Sequence, residues 1–363
     1  MSKGQQDRKP AAKFAIGYFF RKDKPFVNVI EKYLPHIAEV YFPWPGLLSA
    51  RQLHVSSDEM LESLTAGLKW CRTHGLALDL LMNATCYGET GATVDQQLAI
   101  GRSLEQMDSL GLLPEVVTTT SPFVARVIKM AVPEIEVRAS VNMRLNSTLA
   151  MEYISDFFDS FYMGRDLQRD LPTLKRFSEW CSDHGKKLCL LANSGCLRNC
   201  PWQTFHETLL AHDFQRSFHD CRRIDVPSVL CSKMFKERRF VEFLRASWIR
   251  PEDLYRVEPY VAAIKLSTRD VPDPELIIKA YTERKFNGNL FNLIDPGFSN
   301  TYSRFSLDNT AFPSDWFDSG IAGLCAINCT HCGRCEQVMA KILKEKALPS
   351  FSLSASPVDN ITI

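Results

Sequence analysis

The chain has 363 residues, a length that fits a single α/β barrel with an insertion and a tail. Its formal net charge of +1, with 45% hydrophobic and 23% charged residues, is typical of a soluble globular protein and provides no overall field that would steer it onto nucleic acid or an anionic membrane. No apolar run approaches the roughly 18 residues of a membrane span, and the N-terminus has no hydrophobic signal-peptide segment. We therefore expect a cytoplasmic protein.

Short β-branched or aromatic runs alternate with longer amphipathic runs from Lys13 onward, which is the pattern of strand–helix units and a parallel sheet. Eight runs are predicted to be strands: 14–20, 39–42, 77–82, 115–119, 136–141, 160–163, 187–192 and 261–266. Eight is the number that closes a barrel. The predicted fold class is therefore α/β, a TIM-like (β/α)8 barrel with a cysteine-containing insertion between strands 7 and 8 and a cysteine-rich C-terminal tail.

The domain organisation follows from breaks in this pattern. Nearly seventy residues separate strands 7 and 8, far more than a usual connection, so they form an insertion. Residues 295–320 are rich in Pro, Ser, Asn and Asp and predict a long surface segment. The predicted divisions are a disordered N-terminus (1–12), the barrel (13–294) with a cluster-binding insertion (193–260), a C-terminal extension with four cysteines (295–348) and a flexible tail (349–363).

The twelve cysteines require an explanation, because cytosolic thiols stay reduced and seldom cross-link a fold. Cys71, Cys181 and Cys189 lie within helix or strand patterns and are expected to be small buried hydrophobes. Eight others form two groups, which indicates metal binding. The first group is Cys196, Cys200, Cys221 and Cys231, and the second is Cys325, Cys329, Cys332 and Cys335.

The first group begins directly after the seventh strand, in the segment NSGCLRNCPW. The carboxyl ends of barrel strands are where ligands bind, so four thiolates there would make an iron–sulfur or zinc site. The insertion must fold around the metal to bring Cys221 and Cys231 to Cys196 and Cys200. Alternatively, those two are ordinary loop thiols. Cys86, just after strand 3 on the same face, is a spare candidate, so a cluster held by three cysteines of the group plus Cys86 is a further alternative.

The second group has gaps of three, two and two residues between its cysteines. Such short gaps let successive thiolates reach adjacent corners of a [4Fe-4S] cube, which we favour over structural zinc or thiols without metal. Its first three cysteines also match the radical S-adenosylmethionine triplet. However, that triplet belongs after the first strand of its barrel, and a fourth cysteine would fill the iron site needed by the cofactor.

Polar side chains at the predicted barrel mouth are suited to an anionic carboxylate or phosphate. The predicted substrate-binding residues are Arg21, Asn83, Asn142, Arg165, Asn193 and Arg269. Other polar groups on this face are Arg144 and Lys265. Any one of these charges could instead form a salt bridge at the rim. His206 and His212 are possible ligands or proton carriers, but six residues do not put them on one helix face.

Catalytic residues cannot be assigned from motifs. The chain has no Gly-x-Ser-x-Gly elbow, no His-Glu-x-x-His helix and no glycine-rich phosphate loop.

Three segments carry a resemblance to a known family: NSGCLRNCPWQTFH, IRPEDLYRVEPYVAAIKLSTR and AYTERKFNGNLFNLI. Through them the chain resembles the peptidase U-thirty-two (U32) family, the collagenase-like group, over most of residues 14–294. The resemblance implies a barrel with a four-iron cluster on four cysteines and a role in oxygen-independent hydroxylation. Carried over, Cys196 and Cys200 match the paired cysteines of the motif, and Cys221 and Cys231 are the completing ligands.

The chain departs from the RNA-modifying branch of that family in its cysteine spacing, and its four-cysteine tail is not part of the general pattern. Residues 216–250 are locally basic, with nine Lys or Arg against four Asp or Glu, but a solvated helix face explains this charge as well as RNA binding does. We therefore expect an iron–sulfur oxidoreductase or hydroxylase acting on a small anionic molecule. It would carry two [4Fe-4S] clusters, with zinc as the alternative in the tail, and would work with an electron-donor or family partner protein. RNA modification and peptidase activity are the alternatives.

Overall fold

The computed structural model describes residues 12–51, 58–212, 226–246, 248–317 and 332–346. Eight parallel strands form a closed barrel: β1 (Lys13–Gly17), β2 (Ile37–Phe42), β3 (Ala77–Met82), β4 (Val116–Thr119), β5 (Glu136–Ala139), β6 (Ser160–Tyr162), β7 (Lys187–Leu191) and β8 (Ala263–Leu266). Each strand pairs with its neighbours in chain order, and β1 also pairs with β8. The predicted (β/α)8 barrel is confirmed, and every predicted strand overlaps an observed one.

The first predicted strand is longer than the observed one. The apolar run continues past Gly17, but Tyr18 and Phe19 leave the sheet and pack on Phe26, with ring centroids 4.7 and 5.1 Å from it. Hydrophobicity alone does not distinguish a residue buried in the sheet from one buried under the following helix.

Helices surround the barrel and fill the long connections. They span Phe26–Ile30, Asp58–Thr73, Val94–Ser109, Pro122–Ala131, Thr148–Glu152, Leu171–Asp183, Gln203–Ala211, Val226–Glu237, Val241–Arg245, Pro274–Glu283, Phe298–Thr301 and Arg334–Ile342. Several begin with a capping side chain, as at Ser121, Asp170 and Asp273, each of which accepts a hydrogen bond from the backbone N–H three residues later. Within the described ranges, every helix is too short or too polar to span a bilayer.

The insertion and the C-terminal extension pack together. Among the described residues between β7 and β8, where the insertion was predicted, there are three α-helices. The prediction of a surface segment at 295–320 is wrong for much of its described part, because Phe298 and Tyr302 are buried. Their rings contact the insertion, with centroid distances of 5.1 Å for Phe235–Phe298 and 4.9 Å for Phe240–Tyr302. Both residues lie in or directly after the helix Phe298–Thr301, which is too short for a sequence periodicity to reveal it.

The interior of the barrel is charged rather than purely apolar. Arg138 on β5 donates from Nη2 to Glu39 Oε2 at 3.0 Å and to Glu136 Oε1 at 2.9 Å, and its Nη1 also bonds Glu39. Asp79 on β3 lies 3.8 Å from the Arg138 Nη1 atom and accepts from the Thr118 hydroxyl at 2.8 Å. Burial raises the pKa of Asp79 to about 7. One guanidinium thus holds three strands together through buried carboxylates.

We predict that Arg138→Met lowers the free energy of unfolding by about 3–5 kcal/mol, because removing one partner leaves buried carboxylates uncompensated. Urea unfolding followed by circular dichroism measures the loss. The control is Lys175→Met, which removes an exposed ion pair with Glu179 at 3.7 Å and should cost less than about 1 kcal/mol. Equal stability of the two variants would contradict a structural role for the interior network.

Candidate functional site

A cavity of about 540 Å³ opens among the carboxyl ends of the strands, the insertion and the start of the C-terminal extension. Its polar lining comes from the loops after β2, β5, β6, β7 and β8 and from the insertion: Arg51, Asn142, Arg165, Cys196, Cys200, Gln203, His206, Glu207, Cys231, Ser232, Asp270 and Asp295. Phe235, Phe298 and Tyr302 form an apolar wall. The cavity therefore lies at the face where barrel proteins bind ligands.

Three thiols of the first cysteine group line this cavity. Cys196 and Cys200 follow β7, and Cys231 comes from the helix Val226–Glu237. The Cys231 thiol hydrogen-bonds Cys200 and lowers the pKa of Cys200 to about 6, although burial opposes this. The fourth predicted ligand, Cys221, lies outside the described residues.

The three thiols do not by themselves complete a metal site. In the part of the chain that the structure describes, no three His, Cys, Asp or Glu side chains meet in a group that could hold a metal ion. The spare candidate, Cys86, does not line the cavity, and its Sγ accepts from the Gly88 backbone N–H at 3.4 Å. A four-thiol site at this position would therefore depend on Cys221.

Arg165 connects the cysteine loop to the insertion. Its Nη1 lies 3.7 Å from Cys196 Sγ, and its Nη2 donates to Asn142 Oδ1 at 2.6 Å and pairs with Glu207 Oε1 at 3.1 Å. Glu207 also pairs with Arg144 at 3.1 Å. The Nε atom of Arg165 is buried and has no hydrogen-bond partner among the described residues. Two of the six predicted substrate-binding residues, Asn142 and Arg165, thus meet in the cavity.

A second arginine in the cavity, Arg51, is not anticipated by the sequence reasoning. Its Nη1 and Nη2 donate to the two carboxylate oxygens of Asp295 at 3.1 and 3.0 Å, and Nη1 also contacts Asp270 at 3.1 Å. Burial alone would raise the pKa of Asp295, but Arg51 holds that pKa below its usual value. No motif marks either residue, since 244 positions separate them.

The other predicted substrate-binding residues lie outside the cavity lining. Asn193 is fully buried, and Asn83 accepts a hydrogen bond from the Ala50 backbone N–H at 3.1 Å. Arg21 is paired with Asp23 at 3.0 Å. Arg269 donates to the Arg51 carbonyl at 3.2 Å. Asn83 and Arg269 therefore support the loop that carries Arg51 rather than facing the cavity. His206 lines the cavity and His212 does not.

The tail group is only half described, because Cys325 and Cys329 lie outside the described residues. Cys332 is exposed and Cys335 is half-buried at the start of the helix Arg334–Ile342. That helix docks on the insertion through an ion pair at 2.7 Å between Glu336 and Arg245. Cys332 and Cys335 are thereby held close to the same insertion that carries Cys231.

We predict that Cys200 in metal-free protein reacts with iodoacetamide at a rate that rises as pH increases through about 6, because the thiolate is the nucleophile. Cys231→Ala should move this midpoint upward and slow the reaction at neutral pH by about 10-fold. Peptide mass spectrometry measures alkylation at Cys200, and Cys86→Ala serves as the control. A wild-type midpoint near the ordinary thiol value would refute the thiol pair.

Comparison with known proteins gives two informative matches. The chain is 22% identical over 314 residues to a curated protein named "Uncharacterized protease MJ1657" from Methanocaldococcus jannaschii, covering 85% of this chain and 89% of that protein. A solved structure described as "The Structure of the U32 Peptidase Mk0906" is 13% identical, with a TM-score of 0.53, and covers 75% of this chain and 98% of that one. No family model matches the chain.

At 13% identity the structural match shows the fold alone, while the protein from Methanocaldococcus jannaschii extends the similarity through most of the sequence. The description of the solved structure names the same family that the three segments suggested, and the curated protein is named a protease. The resemblance of this chain to the U32 peptidases, indicated first by its cysteine motif, is therefore confirmed.

Proposed function

We propose that the cavity binds an iron–sulfur cluster and that the protein is an oxygen-independent oxidoreductase or hydroxylase acting on a small anionic molecule. One observation carries this proposal. Cys231 lies thirty-one residues after Cys200, on a separate helix, yet both thiols line one cavity with Cys196 and hydrogen-bond each other. A thiol that merely fills space is buried among apolar side chains, as Cys71 is.

The donor set suits an iron–sulfur cluster, which the family resemblance favours over zinc. Cys196, Cys200 and Cys231 would supply three thiolates and Cys221 the fourth, and thiolates are the ligands such clusters require. A bound cluster would supply electrons or, with one open iron, a Lewis acid. Cys332 and Cys335 belong to the proposed second, electron-transfer cluster of the tail.

The residues around the thiols have supporting roles in this proposal. The Arg165 guanidinium beside Cys196 places positive charge and N–H donors next to the sulfur ligands, which is how a protein raises the reduction potential of a cluster. Its unused Nε would meet an oxygen of the substrate. The wall of Phe235, Phe298 and Tyr302 keeps bulk water from the thiols.

Peptidase activity is the second candidate, favoured by the printed names of the two matching proteins. In the cavity, His206 and Glu207 together with a cysteine nucleophile would have to perform the acyl transfer. Arg144 and Arg165 already engage Glu207, at 3.1 Å each. These two ion pairs leave Glu207 less able to orient a histidine. They therefore support metal binding over peptidase activity.

We predict that protein purified without oxygen contains roughly eight irons and eight acid-labile sulfides per chain, two cubes of four. Cys196→Ala and Cys332→Ala should each reduce the count by about half, because each removes a ligand of one cluster. Cys181→Ala, which removes a buried thiol far from either group in the sequence, should leave the iron content unchanged.

Wild-type protein without labile sulfide after anaerobic reconstitution would overturn the proposal for both groups. Zinc that is lost from Cys332→Ala but not from Cys196→Ala would instead assign zinc to the tail.

We further predict that the reconstituted protein cleaves neither casein nor gelatin above background. The same preparation should show a reversible change in visible absorbance on reduction by dithionite. Cleavage that survives in Cys196→Ala but is lost in Cys200→Ala would favour a thiol peptidase and contradict the proposed function.

A further inference from the structure

Lys265 on β8 is a buried amine without an oxygen partner. Its Nζ lies 3.7 Å from the ring centroid of Tyr41 and 5.5 Å from that of Tyr162, and the residue is only 8% exposed. Among the described residues, none accepts a hydrogen bond from this amine or forms an ion pair with it. A buried ammonium is ordinarily met by a carboxylate, because desolvating a lone charge is costly.

Two polar groups lie close to this amine. The Tyr162 hydroxyl is buried, with the residue 1% exposed, and has no hydrogen-bond partner among the described residues. Arg269 lies over the same Tyr41 ring at 5.5 Å and donates a hydrogen bond to the Arg51 carbonyl. Buried donors without partners are rare in folded proteins and need an explanation. The Lys265 amine and the Tyr162 hydroxyl are two such donors in one region of the barrel interior, so an oxygen-bearing ligand would satisfy what the described residues do not.

The charges around Lys265 do not replace such a ligand. The Glu39 carboxylate is engaged by Arg138 and the Asp79 carboxylate by the Thr118 hydroxyl, so neither forms a bond to the amine. Burial, reinforced by repulsion from Arg269, lowers the pKa of Lys265 to about 8, although Asp79 opposes this. Roughly a tenth of the amine is therefore neutral and nucleophilic at pH 7, far more than for a lysine of ordinary pKa.

We propose that Lys265 is a reactive amine that condenses with the carbonyl group of a small 2-oxo acid, whose carboxylate is bound by Arg269. The amine attacks the carbonyl carbon, and a C–N bond forms while the carbonyl π electrons pass to the oxygen, which takes up the proton released by nitrogen. That oxygen then takes up the second proton of the nitrogen and leaves as water, while the nitrogen lone pair forms the C=N bond. Amine and carbonyl give imine and water, so the step needs no oxidant or reductant.

The Tyr162 hydroxyl completes this assignment, because it would donate to the carbonyl oxygen and assist its departure. None of these residues lines the cysteine cavity. The proposal therefore stands whether or not the cavity holds a cluster.

The test traps the imine. Wild-type protein is incubated at neutral pH with glyoxylate and cyanoborohydride, which converts an imine into a stable carboxymethyl-lysine, and peptide mapping measures the rate at each lysine. Lys265 should react at least ~10-fold faster than the exposed Lys69, because an ordinary lysine is almost wholly protonated at neutral pH. Labelling of Lys265 no faster than that of Lys69 overturns the proposal, and no variant has to fold for this result.

A second arm tests the carboxylate contact. Arg269→Gln should reduce the labelling of Lys265 by glyoxylate about 10-fold relative to its labelling by acetaldehyde, which lacks a carboxylate. The ratio of the two reagents removes any general effect of the substitution on access. Tyr162→Phe should slow both reagents equally. An unchanged glyoxylate-to-acetaldehyde ratio in Arg269→Gln would show that Arg269 does not bind the carboxylate and would overturn the 2-oxo acid assignment.

Discussion

The side chain of Asn193 is the contact on which the geometry of the cavity depends. Its Nδ2 donates to the Ser267 and Leu293 carbonyls, both at 3.0 Å, and its Oδ1 accepts from the Ser267 backbone N–H at 2.7 Å. Its carbonyl accepts from Asp295 N–H at 2.9 Å, and the Asp295 carbonyl accepts from Gly195 N–H at 2.8 Å. The end of β7, the end of β8 and the start of the C-terminal extension are thus locked together without water, because the residue is fully buried. These hydrogen bonds fix the positions of the cysteine loop and of Asp295.

The cavity that results has a mixed electrostatic character. Arg51 and Arg165 face inward, but Asp295 and Glu207 already neutralise them. A ligand in the cavity must compete with these carboxylates for the arginines. Among the described residues, none accepts a hydrogen bond from the buried Nε atom of Arg165. In the proposed function, the arginines would also offset the negative charge of the thiolates.

The barrel interior is electrostatically distinct from its mouth. Arg138 gathers Glu39, Glu136 and Asp79 in a closed network, whereas Lys265 faces aromatic rings and stays without an oxygen partner. Arg269 bridges the two regions, because it stacks on Tyr41 inside and donates to the Arg51 carbonyl at the rim. One loop after β8 thus contacts both the Tyr41 ring that Lys265 faces and the wall of the cavity.

The sequence by itself determined the strand number, the place of the insertion and the presence of Cys196 and Cys200 beyond β7, because each rests on local periodicity or on neighbours in the chain. It also indicated Asn142 and Arg165, since residues after parallel strands meet at one edge. It gave no sign of the Arg51–Asp295 pair, of the buried Phe298 and Tyr302, or of the missing partner of Lys265. Those features depend on contacts between segments hundreds of residues apart and on which donors lack acceptors. Only the closed barrel, by fixing which side chains share a buried space, decides them.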